Sequence, residues 1–148
     1  MLKIDFGSGY NPIKGYKTCD ITYSPFLDYV YDIHKNEILD LNYNSVDVFH
    51  LRNVVHHLKD LKLTLNKLSK YLKYNGIIII EDCRKEYFKQ NVFLDRLWYR
   101  YIIPREEIWF SNVYRDYSII MNELNFKLIN KKYKNEKEIL VWIKLKEN

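Results

Sequence analysis

The sequence predicts an α/β fold: a Rossmann-like, mostly parallel sheet of seven strands, with helices on both faces and a C-terminal antiparallel hairpin. Three observations predict it. Strand-like and helix-like segments alternate along the chain, the arrangement of a layered α/β sheet. Ile77-Ile78-Ile79-Ile80 is an unbroken β-branched run of the kind found in a central parallel strand covered on both faces. Two apolar stretches, residues 126–133 and 139–145, are joined by the short polar Lys134-Asn135-Glu136-Lys137, as in a hairpin.

Each element follows from its residues. Residues 2–6 alternate and run into Gly7-Ser8-Gly9, a strand entering a Gly-rich turn. Residues 16–21 and 27–33 form the second and third strands, and residues 34–41 have room for one or two helical turns. Residues 46–51 form a strong strand. Leu61, Leu65, Leu68 and Leu72 then make one apolar helical stripe, with Asp60 in the first turn, where the helix dipole favours an acid. Asn75-Gly76 supplies a left-handed stop before the isoleucine strand. Residues 85–103 read as an aromatic helix ending before Pro104, and residues 114–124 as a further helix.

At 148 residues the chain reads as one domain, 1–148, without repeat or linker. Its 47% hydrophobic and 29% charged residues exclude a disordered or collagen-like chain. No apolar run approaches the ~18 residues of a membrane span, and no leader-like segment opens the chain. A cytoplasmic protein is therefore expected, with Cys19 and Cys83 as reduced thiols. No His/Cys/Asp cluster has zinc spacing, so no metal is expected. The 14 Tyr and the absence of Ala fit the bias of an AT-rich coding sequence. Charge is uneven: residues 1–83 balance at 10 Lys/Arg and 10 Asp/Glu, while residues 84–148 carry 14 against 9 and so the whole net +5. A basic second half suits an anionic partner or a solvated surface.

The chemistry centres on Asp5-Phe6-Gly7-Ser8-Gly9, a D-x-G-x-G turn after the first strand. Glycines there permit a tight turn and close approach of backbone to ligand, and open α/β sheets bind ligands beyond the carboxyl ends of their strands. Asp20 ends the second strand 11 residues beyond Gly9, and a carboxylate there can accept from both ribose hydroxyls. The intervening Pro12 and Gly15 leave no room for a full crossover helix, and a third glycine is missing, which disfavours a dinucleotide pyrophosphate site. A nucleoside without pyrophosphate fits the compact turn better. Asp32 ends the third strand at the same edge.

These features resemble the class I S-adenosylmethionine-dependent methyltransferases. The resemblance runs through residues 4–9, Asp20-Ile21, Asp32-Ile33, residues 46–58 and residues 72–81, in the order and spacing of that family, in its short-first-crossover form. It implies a Rossmann-like methyltransferase with S-adenosyl-L-methionine as cofactor. Asp5, Gly7, Ser8 and Gly9 would line the methionine part, Asp20 the ribose, Ile21, Asp32 and Ile33 the adenine, and Leu51, Arg52 and Asn53 would close the pocket. Asn75-Gly76 stands where the family has Gly-Gly, and the family's third glycine is lost at Asn11-Pro12.

Methyl transfer from a sulfonium needs mainly positioning, plus a base when the acceptor must lose a proton. His57 and His56 follow the fourth strand near the expected acceptor and are the candidate bases; packing beneath the next helix is the alternative role for either. His34 and His50 read as structural. Residues 84–117 interleave Tyr87, Phe88, Trp98, Tyr99, Tyr101, Trp109, Phe110, Tyr114 and Tyr117 with five arginines, and read as an acceptor-binding wall or as helix packing. A small-molecule acceptor is the first reading. A nucleic-acid acceptor or partner using the basic half, or a scaffold without catalysis, are the alternatives.

Overall fold

The computed structural model describes residues 1–9, 11–21, 25–32, 35–83 and 116–146. Its strands are β1 (Lys3–Phe6), β2 (Lys17–Asp20), β3 (Tyr29–Asp32), β4 (Glu37–Ile38), β5 (Val46–Arg52), β6 (Leu72–Cys83), β7 (Phe126–Lys134) and β8 (Lys137–Lys144). They form one sheet in the order β4-β3-β2-β1-β5-β6-β8-β7. Neighbours from β3 through β6 pair in parallel. The hairpin β7–β8 closes the sheet antiparallel to β6, with β8 inserted between β6 and β7.

The described residues therefore form eight strands where seven were expected. The extra one, β4, lies where helical turns were predicted. Asn36 and Asp40 take left-handed angles (φ 52° and 60°) on either side of it, which folds the chain back antiparallel onto β3. Ile38 is thereby buried, and its N–H donates to the Tyr71 hydroxyl at 3.0 Å.

A 3-10 turn, Val55–His57, follows β5, and helix α1 spans Leu61–Tyr71. Asp60 is its N-cap, the side chain accepting from the Leu63 N–H at 2.9 Å. The helix stops at Tyr71, and Leu72 opens β6 instead of closing the helical stripe. Leu72 is fully buried as a strand residue, and its spacing also fits the helical stripe, so the pattern alone did not mark the boundary. The left-handed Asn75 (φ 62°) lies inside the strand. There the β5–β6 register jumps from Val46↔Leu72 to Val48↔Ile77, a bulge opposite Asp47. Helix α2, Tyr117–Glu123, is capped by Asp116 and ends before the left-handed Asn125. The predicted helix 85–103 and residues 84–115 of the proposed wall lie outside the described residues, as do His34 and Ile33.

Strand alternation makes two unlike faces. Ile4, Phe6, Cys19, Tyr31, Phe49, Leu51, Ile78, Ile80, Leu140 and Trp142 point to one, all buried. Leu61, Leu65 and Leu68 of α1 join that core, as do Ile120 and Met121 of α2. Burying each leucine contributes roughly 1.5–3 kcal/mol. Lys62 and Glu123 pair at 2.5 Å between the two helices. On the opposite face Val30, Val48, Ile77, Ile79, Val141 and Ile143 are only half-buried.

Candidate active site

The carboxyl ends of β1, β2, β5 and β6 meet at one edge. β1 ends in the Gly turn, where the N–H groups of Gly7 and Ser8 both donate to the Cys19 carbonyl, at 2.8 and 3.2 Å. Gly7 has φ 76°, and a Cβ there would overlap the Val54 side chain, so only glycine closes the turn. The Gly9 N–H donates to Asp20 Oδ2 at 2.8 Å, and the Ile21 N–H to Asp20 Oδ1 at 2.7 Å. Asp20 thus clamps the turn to the end of β2. No helix occurs among the described residues of the crossover 7–16. That loop is tied down instead by the Ile13 N–H on Asp5 Oδ2 (2.9 Å) and by Arg52, which donates to the Asn11 carbonyl. Arg52 also lies 3.7 Å from Asp5.

Asp5 is fully buried, and burial pushes its carboxyl above the ordinary range against the Ile13 N–H and the Arg52 charge. Its Oδ1 has no hydrogen-bond partner among the described residues, and neither has the buried Ser8 Oγ. Buried polar atoms are ordinarily hydrogen-bonded, so two without a partner beside a Gly turn mark a candidate ligand site.

A charged network continues along the half-buried face. His50 Nε2 lies 3.1 Å from Glu81 Oε2, and Lys137 Nζ donates to Glu81 Oε1 at 3.0 Å. Burial holds the His50 imidazole below its ordinary pKa, outweighing the attraction of Glu81. Glu81 is also partly buried, yet the hydrogen bond and charge of Lys137 hold it below the carboxylate range. His50 charges less readily in the folded state than in the unfolded one. Its contribution to stability is therefore present above the ordinary imidazole value of 6.5 and is lost as the pH falls through the lower folded value. Melting curves from about pH 7 to about pH 5 should show the wild type losing more stability than His50→Gln. Equal losses would assign the acid sensitivity elsewhere.

The other predicted residues fall as follows. Asp32 ends β3 and accepts from the Lys35 N–H at 3.2 Å. Ile21 is 53% exposed at the edge, while Leu51 is fully buried on the core face. Arg52, one residue on, points to the opposite face with His50. Asn53 is left-handed (φ 54°), and its N–H donates to the Glu81 carbonyl at 2.8 Å. His56 is buried with Nδ1 3.0 and 3.1 Å from the two Asp82 oxygens, and its ring lies 4.2 Å from that of the half-buried His57. Tyr117, counted with the acceptor wall, is instead part of the core beneath α2. Sequence reasoning missed Glu81, Asp82, Lys137 and the role of His50. Strand parity carried a signal: His50 and Arg52 alternate with the buried Phe49 and Leu51.

A family model described as a methyltransferase domain matches residues 27–139, so the match begins after the Gly turn and Asp20. No curated protein matches the chain. Solved structures share its fold at low identity. The CurJ carbon methyltransferase superposes with a TM-score of 0.66 at 16% identity, over 99% of this chain but only 49% of its own. The methyltransferase bound to the Trm112 methyltransferase activator of Haloferax volcanii gives 0.67 at 11%, over 99% and 83%. The PH0226 protein of Pyrococcus horikoshii gives 0.64 at 16%, over 96% and 81%. With three quarters of its length matched by the family model, the chain belongs to the class I S-adenosylmethionine-dependent methyltransferases.

Proposed function

We propose that this methyltransferase acts as a single cytoplasmic domain on an acceptor held at the carboxyl edge of the sheet, beside the 3-10 turn. The observation that carries the placement is the pair of buried, unpartnered atoms, Asp5 Oδ1 and Ser8 Oγ, next to the Asp20 clamp. The residues present fit S-adenosylmethionine. Asp5 Oδ1 lacks a donor and Ser8 Oγ a partner, which suits the α-ammonium and carboxylate of the methionine part. Each Asp20 oxygen accepts one backbone N–H and keeps a second lone pair for a ribose hydroxyl. Asp32 and the exposed Ile21 flank the adenine side, with Ile33 beside them in sequence. Arg52 and Asn53 close the far side, with the backbone of Leu51. The acidic edge also favours a cationic sulfonium.

When bound, the cofactor supplies an electrophilic methyl group. The protein's part is to orient the acceptor and, where needed, to take its proton. His57 is the proposed base. His56 is the lesser candidate, because its Nδ1 is held by Asp82 and its ring is buried. The tilted contact with the pinned His56 ring, 4.2 Å between centroids, limits where the His57 ring can point. His57→Asn should lower turnover by about 10²–10⁴-fold with S-adenosylhomocysteine affinity nearly unchanged. A loss confined to cofactor affinity would move His57 out of this role.

A small-molecule acceptor is the first reading. One observation favours a second, a nucleic-acid acceptor: the exposed lysines of β7.

A further inference from the structure

β7 is the outermost strand at its end of the sheet, and every residue after Phe126 is exposed. It carries Lys127, Lys131, Lys132 and Lys134 and no acidic residue. Lys131 pairs with Glu138 at 2.7 Å. Lys127, Lys132 and Lys134 form no ion pair among the described residues. The register places these three on one face. Lys127 lies opposite Ile143, Lys132 opposite Ile139 and Lys134 opposite Lys137, which continue to Ile77, Glu81 and Cys83 of β6. The row therefore shares the half-buried face with Glu81 and runs to the carboxyl edge, where the Asp82–His56 pair and the Asp20 clamp lie. Adjacent strands are ~4.8 Å apart, so the three steps from β7 to β5 span roughly 14 Å, a few nucleotides at most.

We propose that β7 docks the phosphate backbone of a single-stranded nucleic acid whose leading end reaches the carboxyl edge. Lys132 and Lys134, two apart on the strand, stand ~6.6 Å from each other, a spacing that suits two successive phosphates of an extended chain, and Lys127 lies further back along the same face. Tyr133, between Lys132 and Lys134, lies on the other face of the strand, where the Lys131 ammonium sits 5.5 Å from its ring centroid, so the row on the half-buried face is made by lysines alone. A second copy of the protein fits poorly, because antiparallel pairing of two β7 strands would set lysines against lysines. Edge lysines also keep strands from aggregating, but that role is indifferent to which face carries them. Here the three unpaired lysines share the face of Glu81, with Lys132 and Lys134 at the carboxyl edge and Lys127 towards the opposite end of the strand. The proposal rests on the second reading of the acceptor and names its class; the docking itself is separable from catalysis.

The test is fluorescence anisotropy of a labelled oligo(U) RNA over a salt series, with the wild type and the Lys127→Gln/Lys132→Gln/Lys134→Gln variant. Unlabelled RNA and polyglutamate serve as competitors. The expected result is salt-dependent binding by the wild type, weakened about tenfold or more in the variant. The slope of log K against log salt should fall by about 2, near 0.7 per lost phosphate contact. Both proteins should keep the same melting shift with S-adenosylhomocysteine, which shows that the variant is folded. No binding by the wild type, unchanged affinity and slope in the variant, or equal displacement by polyglutamate each overturns the proposal. If RNA binding behaves as expected but S-adenosylhomocysteine gives no shift in either protein, and circular dichroism shows both folded, docking stands and the placement of the cofactor fails.

Discussion

A Gly7→Ala variant is expected to melt on the order of 10 °C below the wild type and to lose cofactor binding. Two separate costs add at this position. Gly7 has φ 76°, and a non-glycine residue there costs roughly 1–2 kcal/mol. The added Cβ also overlaps the Val54 side chain, and overpacking costs roughly 1–3 kcal/mol more. For a domain of this size each kcal/mol is worth about 2–4 °C in Tm. Any relief must come from Val54, which leads directly into the 3-10 turn bearing His56 and His57, so the strain spreads through the site. Gly9→Ala is the control. Gly9 has φ 52°, yet a Cβ there meets nothing within 4 Å, so only the conformational cost applies and the melting shift should be smaller. Equal shifts for the two variants would show that Val54 yields freely and that Gly7 is an ordinary turn residue.

Asp20→Ala is expected to leave the protein folded and to weaken S-adenosylhomocysteine binding about ten- to a hundredfold. Asp20 is half-exposed and its carboxylate holds only the N–H groups of Gly9 and Ile21, both of which can turn to water when it is removed. A charge-assisted hydrogen bond to a ligand hydroxyl is worth roughly 1.5–3 kcal/mol, which is that range of affinity. Titration calorimetry on both proteins checks it. Unchanged affinity would reduce Asp20 to a clamp for the Gly turn.

Much of this architecture was legible in the chain. The alternation of residues 46–51 and the polar hairpin connector placed β5 and the β7–β8 pair where the structure has them, and the isoleucine run placed the central part of β6. Asp5, Gly7, Ser8, Gly9 and Asp20 were picked from one motif and one spacing, and the fold brings them to one edge. What was not legible depends on contacts distant in sequence. β4 exists because Asn36 and Asp40 turn the chain and Tyr71, 33 residues beyond Ile38, receives its N–H. The His56–Asp82 and His50–Glu81 pairs link β5 and its following turn to β6 across 26 and 31 residues, and no local pattern marks such partners. The end of α1 was misjudged because Leu72 satisfies a helical stripe and a buried strand equally well.

The most direct test of the central claim is calorimetric titration of the wild-type protein with S-adenosylhomocysteine. The Gly turn, the orphaned Asp5 Oδ1 and Ser8 Oγ and the Asp20 clamp together predict saturable one-to-one binding, accompanied by a rise in Tm as ligand stabilises the native state by mass action. No heat and no melting shift at about millimolar ligand, in a sample shown to be folded, would contradict the assignment of this edge as the cofactor site.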